Sequence, residues 1–142
     1  MLAVSNTSPV SNLAAIDRPP LLKAQFPVLW IPTAVAQELR AHPNPVTLAL
    51  IEAAVTDGWL QFAEPQDTPF YRMLCGHVHQ GEAAAIALAT DLSAGIVVID
   101  EQEGRALAAQ SGLSVTGTLG ILLRAKRAGS IPVVNPRFRP CG

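Results

Sequence analysis

Long apolar runs are missing from this 142-residue chain. No stretch approaches the roughly 20 apolar residues that a membrane-spanning helix needs. The opening residues, MLAVSNTSPV, lack a basic cluster and a long apolar core, so no secretory leader is expected. Cysteine is scarce: Cys75 and Cys141 make no disulfide framework, and a reducing, cytoplasmic setting is the expectation. No phosphate-cradling GxxxxGK loop and no GxGxxG occurs, which argues against an NTPase or a dinucleotide oxidoreductase. No GxSxG elbow suggests a serine hydrolase. One cysteine and two histidines alternate in Cys75-Gly76-His77-Val78-His79, a spacing that departs from structural zinc sites and lacks a fourth ligand, so a loop is expected. Internal repeats and low-complexity segments are also absent. Charge is sparse as well, at 15% of residues against 49% hydrophobic. That composition supplies a core for one domain spanning residues 1–142. With a mean hydropathy of +0.30 it also leaves apolar surface to cover, so a homodimer is expected.

What is present is organised around Gly95–Gly120, GIVVIDEQEGRALAAQSGLSVTGTLG. The β-branched run Ile96–Ile99 reads as a buried parallel strand. Asp100, Glu101 and Glu103 follow it, then a helical pattern through Ala106, Leu107, Ala109 and Gln110 that Gly112 ends. Leu113–Val115 is a short further strand, leading to the turn Thr116-Gly117-Thr118. Elsewhere, Met1–Val4, Val28–Ile31 and Trp59–Phe62 read as strands. Helices are expected from Ser8-Pro9 onward and at Leu21–Phe26, Ala34–Ala41, Val46–Val55, Phe70–Leu74, Ala83–Leu92 and Leu119–Ala128, with Asp17–Pro20 a turn and Ile131–Val134 extended. Strands alternating with helices predict an α/β fold, a central parallel sheet flanked by helices.

In such sheets ligands bind at the carboxyl ends of strands. Asn6 and Asp100 occupy those ends, while Glu38 and Glu82 ride helices that can flank the same edge. Each has an ordinary reading beside the functional one. Asn6 suits a turn, Asp100 a helix cap, and Glu38 the boundary of an apolar stripe. Glu82 opens a helix made almost wholly of Ala, Ile and Leu, where it is either a dipole-favoured acid or a buried ligand. Clustered carboxylates stay ionised together only with cations between them, and oxygen donors of this kind suit Mg²⁺ or Mn²⁺. Such ions activate water and stabilise the departing oxygen in phosphodiester hydrolysis. Charge is also segregated. Ahead of Gly104 lie 11 acids and four basic residues; beyond it lie Arg105, Arg124, Lys126, Arg127, Arg137 and Arg139 and no acid. That basic segment, from about residue 124 to 142, is either a solvated helix face with a tail or a surface for nucleic acid.

Five blocks in order, VSNTSPVSNLAAI, WIPTAVAQELR, QGEAAAIALA, GIVVIDE and VTGTLGILLRAKRAGSIP, give the chain a resemblance to PIN-domain proteins. It resembles their VapC-like branch, found as toxins and nucleases in bacteria and archaea. The resemblance implies a single PIN-like domain and a Mg²⁺- or Mn²⁺-dependent ribonuclease, the toxin half of a toxin–antitoxin pair, with RNA as substrate, a cognate antitoxin protein as partner and a homodimeric state. On the matching positions it makes Glu38, Glu82 and Asp100 metal-site acids, with Glu101 or Glu103 as a further ligand or water-orienting group. Thr7, Thr116 and Thr118 match hydroxyl positions that hydrogen-bond within the acidic pocket. Arg124, Lys126 and Arg127 are the residues expected to hold RNA backbone. Asn6 departs from the pattern, since PIN nucleases usually carry Asp there. Its amide oxygen can coordinate a hard cation but brings no charge, so lower metal affinity is expected. The competing reading is a binding or regulatory module that keeps the fold and has lost the chemistry.

Overall fold

The computed structural model describes residues 2–15 and 23–127. Five strands form one sheet: β1 (Ala3–Ser5), β2 (Leu29–Pro32), β3 (Leu60–Ala63), β4 (Ile96–Val98) and β5 (Val115–Thr116). Around them lie α1 (Thr7–Ala15), α2 (Thr33–Arg40), α3 (Pro45–Thr56), α4 (Pro69–Cys75), α5 (Gln80–Asp91), α6 (Gln102–Gln110) and α7 (Thr118–Arg127). Every strand pairing is parallel, in the order β3-β2-β1-β4-β5. Among the described residues no helix is long and apolar enough to cross a membrane.

Strand alternation divides the core. Ala3, Ile96 and Val98 turn to one face, with Val10, Leu13, Val35, Leu39, Ile51 and Ile121. Val4, Val97 and Ile99 turn to the other, against Leu74, Ile86, Leu88 and Ala108. Gly81 through Ala89 of α5 are all buried, because alanine side chains let this helix lie close on the sheet.

Strand order reverses between β1 and β4, adjacent strands whose chains lead off toward opposite edges. This is the switch point where open parallel sheets bind ligands. The Asn6 N–H donates to the Val98 carbonyl at 3.0 Å, tying the two strand ends together there.

Some elements differ from the sequence reading. Helix α6 starts at Gln102, ahead of the apolar positions that reveal its period, because Glu103 in its first turn suits the helix dipole. It ends, as expected, before Gly112, whose φ of +85° terminates it. Strand β5 is shifted to Val115–Thr116, since the Ile99 N–H reaches the Thr116 carbonyl at 2.9 Å. Helix α1 begins at Thr7, with Pro9 in its first turn, where a missing N–H costs nothing. The turn at Asp17–Pro20, the start of the Leu21–Phe26 helix and everything from Ala128 onward, Arg137, Arg139 and Cys141 included, lie outside the described residues.

Candidate active site

Asn6 follows β1 and is 3% exposed. Its Nδ2 lies 3.3 Å from both carboxylate oxygens of Glu101. The Ser8 hydroxyl donates to Glu101 Oε1 at 2.8 Å. This orientation of the amide follows from charge, since the reverse would set an amide oxygen against a carboxylate. Asn6 Oδ1 points the other way, to Gly81 in the first turn of α5. A Cβ on Gly81 would stand 3.1 Å from that oxygen and 2.6 Å from Glu38 Oε1. The absent side chain therefore lets α2 and the end of β1 close on α5, and Glu38, though 39% exposed, reaches the pocket.

Asp100 stands two residues past β4, half-buried. Its Oδ1 accepts from the Thr118 N–H at 2.6 Å, and its Oδ2 accepts from the Thr118 hydroxyl at 2.6 Å and from Asn12 Nδ2 at 2.9 Å. It thus holds the start of α7, not the helix that follows it in sequence. Glu101 occupies the N-cap of α6 and makes no side-chain cap there. Asp100 Oδ1 also lies 2.6 Å from the position of a Gly117 Cβ, so a side chain there would displace the carboxylate.

Glu82 is 8% exposed. Burial pushes its carboxyl up from the usual range; the charges of Glu101, Glu103 and Glu38 add to the rise and His79 opposes it. Its Oε2 lies 2.5 Å from the position of a Gly104 Cβ, against the backbone of α6. Three glycines, Gly81, Gly104 and Gly117, thus each seat a different acid: Glu38, Glu82 and Asp100.

The family model DUF3368, a PIN domain, matches residues 2–140. This chain belongs to the PIN-domain family. Its fold is similar to that of PAE2754 from Pyrobaculum aerophilum, known from a crystal structure, with a TM-score of 0.57 at 12% identity over 87% of this chain and 96% of that one. Seven chains of known structure match it, and no curated protein does. The PIN domain is a nuclease-type fold whose members typically use divalent metals.

The acids of this PIN domain are assembled but largely engaged. Among the described residues no three His, Cys, Asp or Glu side chains form a metal-chelating group. Thr118 and Asn12 take up Asp100, while Asn6 and Ser8 take up Glu101. The donors themselves suit a hard cation, being carboxylates and an amide oxygen, and among the described residues Glu82 makes no salt bridge, with His79 the one opposing charge beside it. The raised Glu82 pKa makes a prediction. A carboxyl that holds its proton more tightly folded than unfolded stabilises fully below the unfolded pKa and loses that contribution as pH rises through the folded one. In EDTA, raising the pH from about 4 to about 7 is expected to lower the melting temperature more in the parent than in Glu82→Gln. Parallel pH profiles would refute it.

Two of the three threonines expected to hydrogen-bond in the acidic pocket, Thr116 and Thr7, do not do so among the described residues. Thr116 is buried against Gly120 in α7 and makes no hydrogen bond to an acid among the described residues. The threonine hydroxyl that reaches an acid is that of Thr118. Gly117 turns the strand into a helix, so residues two apart no longer share a face. Thr7 Oγ1 is buried and has no hydrogen-bond partner among the described residues. Arg124, Lys126 and Arg127 are exposed at the far end of α7. They are six to nine residues beyond Thr118, about 9–14 Å along the axis at 1.5 Å per residue.

Ser8, Asn12, His79 and the three glycines escaped the sequence reading. His79 accepts from the Gly81 N–H at 3.2 Å, and the same Nδ1 lies 3.9 Å from Glu38 Oε1. A signal was available for Gly81 and Gly104. Each interrupts a helix where Ala would be favoured by about 1 kcal/mol, which points to close approach of another group.

Proposed function

We propose that this PIN domain is a divalent-metal-dependent endoribonuclease and the toxin half of a toxin–antitoxin pair. The observation that supports this reading is Glu82, buried beside Glu38, Glu101 and Glu103 with its carboxyl pushed up by burial and by those charges. Keeping such a cluster is costly unless a cation compensates it. Glu82, Asp100, Glu38 and the Asn6 side-chain oxygen are the residues that would draw together to hold Mg²⁺ or Mn²⁺, since as they stand they form no chelating group; the ion when bound would supply an activated water and charge stabilisation at the leaving oxygen. Thr118 and Asn12 keep Asp100 from rotating, and Ser8 with Asn6 does the same for Glu101. Glu103, exposed in the first turn of α6, remains available to orient a water.

The second reading, a binding or regulatory module, is favoured by the Asn6–Glu101 contact, which satisfies one acid without a cation. Cleavage of a generic single-stranded RNA with Mn²⁺, by the parent and by Asp100→Asn, separates the two. The nuclease reading expects cleavage by the parent and a loss of at least roughly 100-fold in the variant. RNA left intact by the parent with both Mg²⁺ and Mn²⁺ favours the module.

Assembly belongs to the same proposal: a cytoplasmic homodimer that meets an antitoxin. Leu119 and Leu123, 65% and 41% exposed and one turn apart on α7, supply an apolar stripe for a second copy.

A further inference from the structure

An acidic pocket that is to act on an anionic backbone needs a cation at its rim, and we propose that Arg105 of α6 is a phosphate-binding residue for the substrate. The proposal rests on the nucleic-acid reading above. Arg105 Nη1 lies 2.7 Å from the position a Gly117 Cβ would take, the same point that Asp100 Oδ1 approaches at 2.6 Å. The bare Cα of Gly117 therefore seats an acid and a guanidinium side by side.

A guanidinium beside a carboxylate ordinarily pairs with it. Arg105 does not: among the described residues the close pairs are Arg40–Glu52, Arg72–Asp67 and His79–Glu38. The oxygens of Asp100 are already occupied by the Thr118 N–H, the Thr118 hydroxyl and Asn12. Arg105 thus lies at the site without a salt bridge among the described residues, and it is exposed to solvent. Arg40 and Arg72 are engaged elsewhere, and the cations of α7 lie about 9 Å or more along that helix from Thr118. A guanidinium presents a planar fork that matches two phosphate oxygens, and it holds its charge at any working pH. At this rim it would offset the repulsion that Asp100, Glu101 and Glu82 exert on an approaching phosphodiester.

The test uses the full chain and a labelled single-stranded RNA, followed by anisotropy in EDTA over a series of KCl concentrations. Arg105→Gln and Arg105→Lys are compared with the parent and with Arg40→Gln, a paired arginine. Arg105→Gln is expected to weaken binding about tenfold, as for loss of a charge-assisted hydrogen bond. It should also reduce the slope of log affinity against log salt by about 0.7, the value for one phosphate contact on a single strand. Arg105→Lys should recover part of both, Arg40→Gln should alter neither, and melting temperatures should agree. Equal affinity and slope for the parent and Arg105→Gln overturn the proposal, as does a parent that binds no RNA at low salt. RNA bound through Arg105 but left uncleaved with Mg²⁺ or Mn²⁺ upholds it while removing the ribonuclease reading. RNA cleaved equally by parent and Arg105→Gln, with equal binding, removes the proposal alone.

Discussion

Glu82→Gln is expected to remove at least roughly 100-fold of RNA cleavage while leaving the protein as stable as the parent, or more stable, in EDTA. Buried acids rarely behave this way when they are structural. Removing one partner of a satisfied buried pair costs about 3–5 kcal/mol, because the other charge is left uncompensated. Among the described residues Glu82 has no such partner. Its surroundings are burial and the carboxylates of Glu101, Glu103 and Glu38, with His79 the opposing influence. Glutamine keeps the shape, fits the space that Gly104 leaves for the Glu82 carboxylate, and relieves the repulsion. Melting temperature in EDTA together with initial cleavage rate checks both halves. A variant that melts well below the parent and cleaves normally would make Glu82 a structural residue.

The second large effect is at Asn6. Asn6→Asp is expected to lose about 2–4 kcal/mol of stability in EDTA, since it replaces a hydrogen bond to a charged group with two facing carboxylates. The parent amide donates toward both oxygens of Glu101 at 3.3 Å, in a position only 3% exposed. It is a neutral hydrogen-bond donor to Glu101, and the pocket can close around that acid without an ion. Aspartate there makes the ion necessary. Adding millimolar Mn²⁺ should therefore raise the melting temperature of Asn6→Asp far more than that of the parent, and if the parent is a weak nuclease the variant should cleave faster. Equal Mn²⁺ responses in the two proteins would show that the amide is not what limits cation binding.

Neither effect was visible from spacing alone, although both residues were. Asn6 and Asp100 were legible as site candidates because each follows a short apolar strand, and Glu82 because it is the acid in the first turn of an alanine-rich helix. What those residues touch was not legible. Asn6 meets Glu101 across 95 positions of sequence, and Asn12 meets Asp100 across 88. Asp100 looked like a cap for its own turn and instead holds the start of α7, 18 residues on. Thr116 and Thr118 were indistinguishable as hydroxyls, and the turn at Gly117 sends only Thr118 to the acid.

Local sequence pattern alone was enough for the α/β class, the approximate position of each described strand and the acids that gather at one sheet edge. Those features depend on local periodicity, on β-branched runs, and on the alternation that buries one side of a strand. Which oxygens are engaged, which glycines make room for them, and that Arg105 sits at the pocket while Arg124, Lys126 and Arg127 lie at the far end of α7 emerged from the packing of the folded chain. The physical reason is that strand order and helix docking fix contacts among groups far apart in the chain. The order β3-β2-β1-β4-β5 brings β1 and β4 together, and with them Asn6, Asp100 and Glu101.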